Sequence, residues 1–286
     1  MTEKIGFRFR KLKRDKRAVS PAISTVIITS AVVILVLSAV VFANNQLYAR
    51  IAENEFGAMK QFMQTVGLQM DDVAWIPGRT QTIRYASRFG QVSFVNSTLQ
   101  YSIYVNKGAG YVSLANYTAG ILLFNMPVSK YTLGNNYFER IFPLNNSFVQ
   151  MGASAPVSHV FVVEKLPMTD GDYVRVVAAP VIRMLNSTIV TGEGTTNYFK
   201  FYLPTLLSGA NPFYSQSVTL MGKSVSVETE NSVNAVRIQV SFLNWTQGFG
   251  ADFFRFNNVT EEIDVPDGSV IEFYIGEVAI SLGLYP

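Results

Sequence analysis

The chain has 286 residues, of which 49% are apolar and only 15% charged, and it contains no cysteine. Disulfides, thiolate nucleophiles and cysteine-based zinc sites are therefore excluded, and the length allows one large all-β domain or two smaller ones. The net charge of +3 is uneven: residues 1–17 carry eight Lys/Arg against Glu3 and Asp15, a net of +6, while the remainder carries 15 Lys/Arg against 18 Asp/Glu, a net of −3. A short basic tail on an acidic chain does not fit a nucleic-acid partner.

No charge occurs from Ala18 to Ala49. Within that span Ala22 to Ala43 is apolar except for five hydroxyl residues, Ser24, Thr25, Thr29, Ser30 and Ser38. At about 1.5 Å per residue this stretch spans roughly 30 Å, the thickness of a bilayer core. Its hydroxyls can bond back to helix carbonyls and so are tolerated in lipid. The basic tail sets the orientation: N-terminus in the cytoplasm, the rest outside.

Three readings of this segment compete. A secretory signal could be cut near Val41-Phe42-Ala43, but the apolar run exceeds the roughly 7–15 residues such signals use. A plain single-pass anchor is the second. The third is a leader cut on the cytoplasmic side, so that the apolar helix stays in the mature protein. The pair Ser20-Pro21 marks a helix start just after the basic cluster. Ser20 can cap an orphan N–H, and Pro21 at the first helical position has no N–H to leave unpaired. That chemistry serves an uncut anchor as well as a processed one.

The stretch KRAVSPAISTVI, residues 16–27, resembles the N-terminus of archaeal type IV pilins and pilin-like proteins, with their class III (prepilin) signal peptides. The resemblance covers about residues 14–43 and does not extend to the C-terminal domain. It implies that Lys16, Arg17 and Ala18 are read by a prepilin peptidase, that Val19 is the first mature residue, and that Ser20 and Pro21 open the mature helix. The fifth mature residue would be Ile23, where bacterial major pilins carry glutamate; archaeal members commonly lack it. The same resemblance implies copies of the chain, or related pilins, as partners in a filament.

Beyond Asn44-Asn45-Gln46 the helical signal continues. Apolar residues recur at Phe56, Met59, Phe62 or Met63, Val66, Met70 and Val73, steps of three and four that mark one helix face. Gly57 and Gly67 weaken it, and Pro77-Gly78 ends it. If unbroken from about residue 20 to 75, this helix would be about 80 Å long.

From Arg79 the pattern turns to strands rich in Val, Ile, Tyr and Phe: QTIRYASRF, QVSFVNSTLQYSIYV, HVFVVEKL, YVRVVAAPVIRML, KSVSVETE, NAVRIQVSFLNW and SVIEFYIGEVAISL. Pro127, Thr169-Asp170-Gly171-Asp172 and Pro266-Asp267-Gly268 read as turns between them. The expected fold is α+β: a long N-terminal helix followed by an antiparallel, sandwich-like β head. Its parts are a basic leader (1–18), a hydrophobic helix (19–46), an amphipathic continuation (47–76) and the head (79–286). QVSFVNST at 91–98 and QVSFLNWT at 239–246 agree at six of eight positions, which convergence on a strand followed by a turn explains better than duplication.

Six sequons, at Asn96, Asn116, Asn145, Asn186, Asn244 and Asn258, all fall in the head, on the side that the charge rule places outside. No catalytic constellation stands out. His159 is the only histidine and adjoins an apolar strand, so it reads as packed or surface rather than catalytic. Asp170-Gly171-Asp172 lacks the rest of a calcium loop, and Gly222-Lys223-Ser224 lacks the upstream glycine of a phosphate loop, so both read as turns. Neither enzyme activity nor a cofactor or metal is expected. The sequence supports a glycosylated, single-pass surface protein that assembles into an adhesive filament. The alternative is a monomeric anchored protein that binds a solute or polysaccharide.

Overall fold

The computed structural model describes residues 21–191, 194–209 and 216–284. One helix, α1, runs Pro21–Ala74. The described chain divides into two compact units, and the boundary between Tyr48 and Ala49 falls within this helix.

The described helix of the first unit carries an exposed apolar surface. Ile34, Leu35, Val36 and Leu37 are 63, 69, 54 and 60% exposed. Four consecutive positions sweep a full helical turn, so the apolar surface covers every side. The hydroxyls behave as the sequence predicts: Thr29 Oγ1 donates to the Thr25 carbonyl at 2.8 Å and Ser38 Oγ to that of Ile34 at 2.8 Å. The helix is long and apolar enough to span a membrane.

In the second unit α1 becomes one-sided. Phe56, Met59, Phe62, Met63, Val66, Met70 and Val73 are all buried, the stripe that the three-and-four spacing predicts. The stripe covers one face of a sheet. Its strands are β1 (Thr80–Arg84), β2 (Gln91–Asn106), β3 (Tyr111–Pro127), β4 (Tyr137–Phe142), β5 (Val149–Met151), β6 (Ser158–Glu164), β7 (Tyr173–Pro180), β8 (Ile182–Thr191), β9 (Gly194–Ser208), β10 (Ser217–Phe242) and β11 (Thr260–Ser281). A four-residue helix, α2 (Ala251–Phe254), precedes β11. The order across the sheet is β4-β6-β7-β3-β2-β10-β11-β9-β8-β5, with β1 paired to β10.

This is the predicted α+β architecture, with differences in detail. β9 runs parallel to β11, and β5 parallel to β8, so the sheet is mixed. The sheet curls until β3 and β7 approach β9. Alternation then sends each strand's side chains to two cores. Leu99, Tyr101, Ile103, Phe161, Phe201 and Phe273 fill the inside of the curl. Leu122, Phe124, Val160, Val162, Leu220 and Val278 meet α1 outside it.

Two predicted turns lie inside strands. Gly222-Lys223-Ser224 is a register shift within β10, and Pro266-Asp267-Gly268 is an irregularity within β11. KSVSVETE and NAVRIQVSF belong to one strand of 26 residues, and the remaining Leu-Asn-Trp leads past its end at Phe242 into a 3-10 turn. Conversely, YVRVVAAPVIRML is two strands, broken between Pro180 and Ile182.

Glycines set how closely helix and sheet approach. A Cβ on Gly67 would lie 2.8–2.9 Å from Phe142, Val160 and Ser158, and Ser158 Oγ donates to the Gly67 carbonyl at 2.7 Å. On the sheet side, a Cβ on Gly276 would come within 2.4 Å of the Ala74 carbonyl oxygen. Gly67 is thus a contact point of the helix and not merely a weak spot in it.

Candidate functional site

Lys16, Arg17, Ala18, Val19 and Ser20 lie outside the described residues. Pro21 is the first residue of α1 as described.

The candidate site for assembly is the apolar surface of α1. From Ile23 to Phe42, thirteen Ile, Val, Leu and Phe side chains are 50–69% exposed. Each such side chain gains about 1.5–3 kcal/mol when taken out of water. A surface of that size requires lipid or other apolar helices around it.

Within the second unit, polar contacts fasten α1 to the head. The Glu55 carboxylate accepts the Ser87 hydroxyl and the backbone N–H groups of Arg88, Phe89 and Gly90 at 2.5–3.3 Å. Partial burial pushes this carboxyl upward, but the four donors outweigh it and hold the group below its ordinary range. Lys60 pairs with Glu139 of β4 at 2.6 Å. Asp71 accepts the Trp75 indole N–H and the Arg183 guanidinium, each at 2.7 Å. Asp71 is therefore a link between α1 and β8, whereas the neighbouring Asp72, with its side chain 53% exposed, faces Arg79 at 3.4 Å.

His159 is packed. It is fully buried between Phe161 and Phe256, at ring-centroid distances of 5.0 and 5.9 Å, and neither ring nitrogen has a partner. Burial, with a smaller push from Arg140, lowers its pKa from 6.5 to about 4. Asp170 accepts from Arg175 through both carboxylate oxygens, at 2.6 and 2.7 Å, in an ion pair whose arginine side chain is buried. Among the described residues, no group of three or more His, Asp or Glu side chains could hold a metal.

The sequons differ in access. Asn96, Asn116, Asn145, Asn186 and Asn258 are exposed. Asn244 is half-buried, and its side-chain nitrogen donates to the Asn96 carbonyl at 3.2 Å. The two similar segments 91–98 and 239–246 end side by side: Phe242 pairs with Leu99, and the Leu243 N–H donates to the Thr98 carbonyl.

No protein-family model, curated protein or solved structure matches this chain. Its own geometry must carry the functional reading.

One feature has no signal in local sequence. Lys165, Arg255, Asp252, Asn136, Phe256 and Asn257 line a polar groove of about 510 Å³ beside α2. Asp252, Arg255, Phe256 and Asn257 come from the segment between β10 and β11, and Asn136 and Lys165 join them from distant connections.

Proposed function

We propose that the chain is a structural subunit of an archaeal type IV pilus-like surface filament. One observation carries the reading: the helix segment that is apolar on every side belongs to the same unbroken 54-residue helix as the segment clamped to the β head. A bilayer needs only about 20 apolar residues. A helix that is apolar all round gains from close packing against copies of itself, while its clamped half holds a folded head on each copy. The resemblance of residues 14–43 to archaeal prepilins supports the same reading. On it, the basic tail stays in the cytoplasm, a prepilin peptidase cuts between Ala18 and Val19, and the released helix enters a filament core. The head then faces the outside, where exposed sequons accept glycans and the surface serves adhesion.

An anchored monomer that binds a solute or polysaccharide is the second reading, because residues 22–43 also suffice for a membrane span.

The test is the N-terminus of the mature chain from native membranes, read by mass spectrometry. A start at Val19, lost in Arg17→Gln and Ala18→Asp variants together with filaments visible by electron microscopy, is the expected result. An intact Met1 or a start at Asn44 overturns the filament reading.

A further inference from the structure

We infer that the groove beside α2 binds a saccharide bearing a carboxylate, of the uronic acid class. The inference stands whether the apolar helix enters a filament or a bilayer, because the groove belongs wholly to the second unit. Its lining brings two cations, Lys165 and Arg255, to one carboxylate, Asp252. The surplus positive charge selects an anion.

The two cations are held differently. Arg255 sits at φ 51°, a left-handed conformation seldom adopted by arginine. That backbone caps the C-terminus of α2, its N–H donating to the Ala251 carbonyl at 2.8 Å, while the side chain is held by its Nη2, which donates to the Asn136 carbonyl at 2.9 Å, and by stacking over Phe138, 5.1 Å from the ring centroid. Asn136 is itself left-handed, at φ 67°. The hydrogen bond and the ring contact together hold the guanidinium at one wall of the groove. Among the described residues its Nη1 has no partner, which leaves a donor for a ligand carboxylate.

Lys165 pairs only loosely with Asp252, at 3.7 Å, and the Asp252 side chain is 90% exposed. An incoming carboxylate can take Asp252's place at little cost. The rest of the lining decides the ligand class. Phe256 offers an apolar ring, and Asn136 and Asn257 bring amides that both donate and accept hydrogen bonds. A ring with hydroxyls, C–H faces and one carboxylate uses all of these; a bare phosphate uses only the cations.

The test uses the full chain in detergent micelles, made in a host that adds no N-glycans. Binding of tri-galacturonate and of neutral galactotriose is measured by calorimetry for the unaltered protein, K165A and D252N, with melting temperatures as the check on folding. The acidic trisaccharide should bind at least about tenfold tighter than the neutral one. K165A should weaken it by about tenfold, as expected for loss of a hydrogen bond to a charged group, and D252N should tighten it. A purely structural role would not move the two variants in opposite directions. Equal binding of acidic and neutral sugars, no response to either variant, or displacement by inorganic phosphate at equal concentration overturns the proposal.

Discussion

His159 gives the head a built-in sensitivity to mild acid. Its imidazole is fully buried with both nitrogens unpartnered, and burial lowers its pKa from 6.5 to about 4. Between those two values the unfolded chain binds a proton that the folded chain refuses, so stability falls as pH falls. The slope approaches about 1.4 kcal/mol per pH unit. Going from pH 7 to pH 5 should therefore cost the head about 2 kcal/mol, and the full loss, reached below pH 4, is about 3 kcal/mol. The window is clean because the chain has one histidine. Glu55 acts in the opposite sense and lower down: its folded carboxyl is held below 4.5, so its contribution is complete above that value and fades only in stronger acid. The assay is urea unfolding of the full chain in detergent at pH 7 and pH 5, followed by near-ultraviolet circular dichroism. The His159→Leu variant, close in volume and free of charge, should lose almost nothing over that interval. A Leu variant that still loses about 2 kcal/mol between pH 7 and 5 would falsify the assignment.

The same substitution should act with opposite sign at two helix glycines. Gly57 has open space where a Cβ would go, so Gly57→Ala should stabilise by about 1 kcal/mol through helix propensity alone. Gly67→Ala should destabilise by about 1–3 kcal/mol, because the methyl meets Phe142, Val160 and Ser158 inside van der Waals distance; thermal melts of the pair check both signs. Glu55→Gln should release the loop that follows β1, and amide exchange at Arg88, Phe89 and Gly90 should quicken by about tenfold as charge-assisted acceptors are lost. In glycopeptides from the native source Asn244 should stay unmodified while exposed sequons carry glycans, because it is half-buried and its amide nitrogen is engaged by the Asn96 carbonyl; a glycan on Asn244 at full occupancy would refute the expectation that burial decides which sequons are used.

Local pattern was enough for everything that repeats with a short period. The buried stripe from Phe56 to Val73, the charge-free apolar span and the inward bonding of Thr29 and Ser38 all follow from residues within a turn or two of each other. Strand segments were legible where Val, Ile and aromatic residues alternate, as in HVFVVEKL. β3 escaped because Gly120 interrupts it; in the fold the Phe94 ring of β2 lies over that glycine, 2.3 Å from where a Cβ would stand. Pairing was not legible at all. Phe199-Lys200-Phe201-Tyr202 and Ile271-Glu272-Phe273-Tyr274 lie in parallel register, with Phe201 stacked on Phe273 at 4.5 Å, Tyr202 on Tyr274 at 4.8 Å and Lys200 paired to Glu272 at 3.1 Å. Nothing in either tetrapeptide names the other, since the strand between them in sequence, β10, could have separated them in space.

The sequence by itself determined the apolar helix, its orientation signal, its amphipathic continuation and a β-rich head, because helix and strand periodicities are written in neighbouring residues. Only the tertiary structure decided that Gly67 and Gly276 are contact points, that Asp71 and Glu55 clamp the helix, that His159 is sealed among aromatic rings, and that Lys165 and Arg255 share a groove. Those facts depend on which distant segments meet, and that is set by packing the whole sheet at once, not by any stretch of chain alone.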